Sequence, residues 1–160
     1  MTELEITPSS PADAETILTF VKELAQYEKA EHEVVATVES IESSLFGAQT
    51  NAQALICRYQ GKAIGFAVYF FNYSTWLGKN GLYLEDLYVS PEHRGLGAGK
   101  AILRYLANLA VRQDCGRFEW SVLDWNEPAI QFYESIGAKP QSEWITYRLA
   151  GDELINFAKG

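Results

Sequence analysis

The sequence is poor in the features that mark several large classes of protein. It has two cysteines, Cys57 and Cys115, and a single methionine. Two cysteines make no disulfide framework and lack metal-ligand spacing, so a reducing, cytoplasmic location is expected. No apolar run is long enough to cross a bilayer, and the opening Met1-Thr2-Glu3-Leu4-Glu5 is acidic, unlike a secretion signal, so no membrane association is expected. Basic residues are scarce as well: 13 Lys and Arg stand against 21 Asp and Glu, a net charge of −8. That balance argues against nucleic-acid binding, which needs a basic surface, and would instead concentrate amines near the protein. His32 and His93 have no metal-ligand spacing, so no metal is expected. There is no repeat, low-complexity tract or linker. At 160 residues and 48% hydrophobic, the chain is expected to form one α/β domain over 1–160.

What is present centres on 82–100. Leu82 to Val89 is apolar and rich in Leu, Tyr and Val, which predicts a buried strand, and Ser90-Pro91 ends it. A glycine-rich stretch then leads into an amphipathic helix over 100–114, with Ile102, Leu106, Leu109 and Ala110 at the helical period. A strand, a glycine-rich turn and a helix N-terminus together form an anion site, because first-turn amides lack intrahelical acceptors and the helix dipole favours negative charge. Arg94 and Lys100 bracket the loop with positive charge. Spacing rules out two nucleotide motifs. Arg94 and Ala101 stand where a Walker A loop needs Gly and Ser/Thr, and Lys100 replaces the third glycine of a dinucleotide fingerprint. Two readings of the loop stay open at this level: a phosphate cradle, or an ordinary glycine turn capping a helix.

The rest of the chain is expected to supply a strand at 4–7, a helix started by Ser9-Ser10-Pro11 and a second helix capped by Thr37. Strands at 54–59 and 63–71 join in a hairpin at Gln60-Gly61-Lys62, and a second turn spans 72–81. The helix after the glycines implies that strands 82–89 and 117–123 are parallel. Asp124-Trp125-Asn126-Glu127-Pro128 opens another helix, which Gly137 ends, followed by a last strand at 144–149 and a short helix at 152–158. Glu85 and Asp86 stand in adjacent strand positions, so they are expected on opposite faces and not as a carboxylate pair.

Arg94-x-x-Gly97-x-Gly99 after a strand, with Asn126-Glu127-Pro128-Ala129-Ile130-Gln131-Phe132-Tyr133 behind it, resembles the GCN5-related N-acetyltransferases. Lys22 to Glu28, Gly65 to Trp76, Tyr83 to Asp86 and Trp125 to Pro128 resemble the spermidine/spermine N-acetyltransferase family. Tyr73 to Trp76 and Val122 to Asn126 look most like its thialysine branch. The resemblance implies that family's fold, a mixed, mostly antiparallel sheet with a splayed parallel strand pair (82–89 and 117–123) flanked by helices. It implies acetyl transfer from acetyl-CoA to a small primary amine, in a homodimer. The implied cofactor contacts are Leu87, Tyr88 and Val89 at the thioester, then Arg94, Gly95, Leu96, Gly97, Ala98, Gly99 and Lys100 at the pyrophosphate. Asn126, Pro128, Ala129 and Tyr133 would complete them along the pantetheine arm. Glu85 would accept the amine's proton, Tyr133 would protonate the departing thiolate, and Tyr27, Glu28, Trp76, Glu85 and Asp86 would hold the amine. Ser74 stands where the polyamine branch carries an acidic residue, which favours a mono- or diamino acceptor. Two other readings are an acetyltransferase for protein termini or lysines and a non-catalytic acyl-CoA sensor, against which Glu85 and Tyr133 argue.

Overall fold

The computed structural model describes residues 3–160, and the chain divides into two compact units, Met1–Ser121 and Val122–Gly160. The first unit is built on a five-stranded sheet in the order β1 (Leu4–Pro8), β2 (Gln53–Tyr59), β3 (Lys62–Ser74), β4 (Lys79–Val89) and β5 (Phe118–Trp120). β1 to β4 form an antiparallel meander, and β5 lies parallel to β4. Gln60 and Gly61, both at positive φ (50° and 80°), make the two-residue loop between β2 and β3.

The second hairpin differs from the expected turn over 72–81. Its ladder continues to Ser74↔Lys79, so only residues 75–78 form the turn. Buried Ser74 closes it: its Oγ accepts from the Leu77 amide at 3.2 Å and its carbonyl from the Gly78 amide at 2.8 Å. Ser74 is a turn residue.

α1 (Ala14–Tyr27) and α2 (Val38–Phe46) pack together before β2, and α3 (Ala98–Arg112) makes the crossover from β4 to β5. Thr37 caps α2 as expected, its Oγ1 accepting from the Ser40 amide at 3.1 Å while the Ser40 hydroxyl accepts from the Thr37 amide. The principal cluster joins Ile17, Leu18 and Phe20 of α1 to Ile41, Ile56, Phe66 and Tyr88, with Phe20 against Phe66 (5.7 Å) and Tyr88 (5.8 Å). The alternate strand residues Leu55, Cys57, Leu82 and Leu84 are buried too, and α3, which contacts β4 and β1, buries Ile102, Leu103 and Leu106. A sheet buried on both faces reads as nearly continuous apolar runs, which is how β2 to β4 read.

The second unit holds α4 (Glu127–Ser135), which ends before Gly137 at φ 94°, and α5 (Gly151–Ala158). The strand expected at 144–149 is not formed within this unit, which offers it no strand to pair with. The strand expected over 117–123 is paired with β4 only through Leu82↔Phe118, Tyr83↔Glu119 and Leu84↔Trp120. Beyond Leu84, β4 runs on to Val89 paired with β3, past the end of its ladder with β5.

Candidate active site

The loop after β4 is shaped by its backbone. Pro91–His93 form one 3-10 turn, Arg94 is extended (φ −71°, ψ 147°), and Gly95 and Gly97 take φ of 96° and 79°, which a Cβ opposes. Gly97 is the N-cap of α3 and brings no side-chain oxygen to it. The first intrahelical bond runs from the Ala101 amide to the Gly97 carbonyl at 2.9 Å, so the amides of Ala98, Gly99 and Lys100 precede the helical ladder. Gly99 is the informative residue. It sits in a helical turn, where glycine costs about 1 kcal/mol against alanine, and a Cβ built there meets nothing within 4 Å. Among the described residues nothing requires glycine at that position; a ligand approaching the backbone would. These features fit a pyrophosphate, and Arg94 and Lys100 are exposed at the two ends of the loop.

The end of β4 is arranged for polar chemistry by a bulge. Val68 pairs with Asp86, but the next residue of β3, Tyr69, pairs with Leu84, so Glu85 is the extra, unpaired residue. This overturns the expectation that Glu85 and Asp86 face apart. The bulge breaks the strict alternation, and both residues line one cavity. The Ser90 amide donates to the Ile64 carbonyl at 2.8 Å. By antiparallel alternation, the amides of Tyr88 and Asp86 face β3 too, whereas Leu87 and Val89 turn theirs away from β3. Tyr88 is therefore used otherwise than expected, with its amide in the ladder and its ring in the core beside Phe20.

The cavity, about 440 Å³, lies between the end of β4, the C-terminal half of α1 and the segment after it. Val21, Leu24, Ala25, Ala30, Val34, Val35 and Ala36 give it apolar walls, while Glu28, Glu33, Glu85 and Asp86 give it four carboxylates and no basic side chain. Glu28 closes α1, its amide donating to the Leu24 carbonyl at 2.9 Å, and burial raises its pKa. Burial, then the charges of Glu85 and Glu28, push Asp86 up to about 6. An apolar cleft that strains its own carboxylates towards the protonated form is relieved by a cation. Glu33 and the 34–36 wall were not picked out from the sequence; the acidic run Glu28 to Glu33 was the only signal for them.

The other expected acceptor residues lie off this wall. Tyr27 ends α1 and carries the Arg94 guanidinium over its ring, 5.5 Å from the centroid. Trp76 sits in the exposed turn between β3 and β4, and the structure does not bring it to the cavity. In the second unit, Asn126 is the N-cap of α4, and its carbonyl accepts from the Ile130 amide at 3.1 Å. Its side chain makes no capping bond to the helix. Pro128 and Ala129 fill the first turn, and Tyr133 follows Ala129 by one helical turn on the same face. Among the described residues there is no group of three or more His, Cys, Asp or Glu able to hold a metal, and no helix is long and apolar enough to cross a membrane.

Comparison with known proteins shows the family and the fold. Residues 19–138, most of the chain, match the model of the Acetyltransferase (GNAT) family. A thialysine N-epsilon-acetyltransferase of Mus musculus is 33% identical over 169 residues, covering 99% of both chains. An L-ornithine N5-acetyltransferase of Arabidopsis thaliana is 46% identical over 90 residues, 56% of this chain and 40% of that protein. Among solved structures, an integron cassette protein from the mobile metagenome of V. cholerae superposes over all of both chains with a TM-score of 0.83 at 26% identity.

Proposed function

The chain belongs to the Acetyltransferase (GNAT) family, and from that premise we propose that it is an acetyl-CoA-dependent N-acetyltransferase whose acceptor is a small primary amine of the thialysine, diamine or polyamine type. The observation that carries this reading is the juxtaposition on β4 of an amide cradle for an anion and an acidic, apolar-walled cavity for a cation. The reading treats 1–160 as one functional domain, and the family match spanning 19–138 supports it.

In this proposal the amides of Ala98, Gly99 and Lys100, with Gly95, Leu96 and Gly97 in the loop and the Lys100 ammonium, hold the pyrophosphate. Asn126, Pro128, Ala129 and Tyr133 hold the pantetheine arm. Amides of Leu87 and Val89, turned away from β3, polarise the thioester carbonyl as charge develops on its oxygen. An acceptor amine with a pKa of roughly 10.4 arrives protonated. Glu85, at the bulge, takes that proton, while Asp86 and Glu28 hold the amine in the cavity. The nitrogen lone pair then forms the C–N bond, the C–S bond breaks as the Tyr133 phenol gives its proton to the departing thiolate, and the second proton released by the acylated nitrogen returns through solvent to the Tyr133 phenolate. Direct transfer of this kind needs no metal.

A homodimer and a cytoplasmic location complete the proposal. Family resemblance supports the first, and two free cysteines support the second. Light scattering on the purified protein should give twice the chain mass; a monomer at all concentrations would remove the dimer. Incubation with acetyl-CoA and thialysine should add one acetyl group to the amine by mass spectrometry. Acetylation of peptides alone would overturn the small-molecule reading.

A further inference from the structure

The acceptor cavity carries one carboxylate more than the reaction proposed above uses. Glu85 takes the proton, and Asp86 and Glu28 hold the amine, which leaves Glu33 without a task. Its place is built by the end of α1. The Ala30 amide donates to the Ala25 carbonyl at 2.8 Å and the Lys29 amide to the Gln26 carbonyl at 3.1 Å, with Lys29 at φ 60°. This is a Schellman turn, and it reverses the chain. Glu31–Glu33 then form one 3-10 turn packed on α1, closed by the Glu33 amide on the Ala30 carbonyl at 2.9 Å. Glu33 therefore lines the cavity from a different wall than Glu85 and Asp86 of β4. Its side chain is 75% exposed whereas Asp86 is half-buried, which puts Glu33 at the mouth. His32 Nε2 lies 3.5 Å from Glu33 Oε1, but both side chains are exposed, and such a pair holds a carboxylate only weakly.

An acceptor seated with its reacting amine beside Glu85 and Asp86 extends its other end towards the mouth. That end meets Glu33, the apolar Val34 and Val35, and no basic lining side chain. A second ammonium is attracted there. A carboxylate finds no cation to pair with and is repelled by Glu33. We propose that Glu33 is the specificity-determining residue for the far end of the acceptor: it takes a second ammonium group and turns away a carboxylate, so that at one chain length a diamine is acetylated ahead of both a monoamine and a diamino acid. This rests on the cavity being the acceptor site.

Three amines with the same five-carbon chain test it. Pentylamine carries no second group, cadaverine carries a second ammonium, and lysine carries a second ammonium with a carboxylate. Coenzyme A release from acetyl-CoA gives kcat/KM for each, expressed relative to pentylamine. The native protein should use cadaverine ahead of the other two. In Glu33→Gln the cadaverine ratio should fall about twofold to fivefold and the lysine ratio rise by a similar factor, the range for an exposed charge pair. Glu33→Lys, with the charge reversed, should use lysine ahead of cadaverine. The native preference should shrink as salt is raised. Unchanged ratios in both variants, or a native protein that uses lysine as well as cadaverine, would overturn this inference alone. No turnover of any of the three by the native protein would overturn the acceptor-site reading and this inference with it.

Discussion

The two proposed ligand regions of the first unit are opposite in sign and built by different means. The loop from Arg94 to Lys100 works through its backbone: two glycines at positive φ, a cap without a side chain, and amides outside the helical ladder. The cavity between α1 and β4 works through its side chains, four carboxylates against apolar walls, with Asp86 held near 6 by burial and its neighbours. Backbone sites tolerate a change of side chain so long as nothing protrudes towards the ligand. Side-chain sites depend on each charge and on the desolvation that perturbs it.

That contrast can be broken in graded steps. The largest effect is expected where proton transfer itself is removed: Tyr133→Phe should lower kcat by about 10²–10⁴-fold, read in steady-state assays. Near-normal turnover would take Tyr133 out of the acid role. At the loop, Gly99→Ala should fold normally and melt no lower, because its Cβ has open space and alanine gains up to about 1 kcal/mol of helix propensity. Its KM for acetyl-CoA should nevertheless rise on the order of tenfold or more, since the methyl group projects where the pyrophosphate approaches the backbone. A melting loss without a KM change would place Gly99 in the fold alone.

In the cavity the effect is on stability and its pH dependence. Asp86 titrates near 6 in the folded protein against an ordinary 3.8, so the native state binds the proton more tightly than the unfolded chain. Stability therefore falls as pH rises from about 4 to about 6, and the penalty is fully present above that window. Asp86→Asn should raise Tm by a few degrees near pH 7.5, on the order of 1–2 kcal/mol after allowing for partial exposure. The gain should vanish below about pH 4, while amine KM worsens. A variant less stable at neutral pH would refute the strained carboxylate. The smallest change is expected from Lys100→Gln, an exposed point charge whose loss should weaken acetyl-CoA binding only a few-fold and less at high salt. Calorimetry in low and high salt would measure it.

The loop and the cavity also differ in how far they could be read from the chain. Glycine positions, the strand before them and the helix after them are local, so Arg94-x-x-Gly97-x-Gly99 placed the glycine turn, and α3 to within two residues at the helix start. The meander and the parallel β4–β5 pair were legible for the same reason. The cavity was not, because it depends on a bulge. Simple alternation puts Asp86 on the face opposite Glu85, and only the slip between Val68 and Tyr69 brings both to one wall. Its second wall comes from 30–36, far from Glu85 in sequence and without a motif. The hydrogen bond by which Ser74 closes its turn leaves no trace in sequence. The 144–149 segment has strand composition, but ladder formation is decided by a partner that composition does not specify.

The central claim is acetyl transfer to a small amine, and it is tested most directly by coenzyme A release from acetyl-CoA against thialysine, lysine, ornithine, spermidine, spermine and a lysine-containing peptide. The account predicts that kcat/KM is highest for a short mono- or diamino acceptor and lowest for the peptide. Turnover of the peptide alone, or tight acetyl-CoA binding with no amine acetylated, would contradict it.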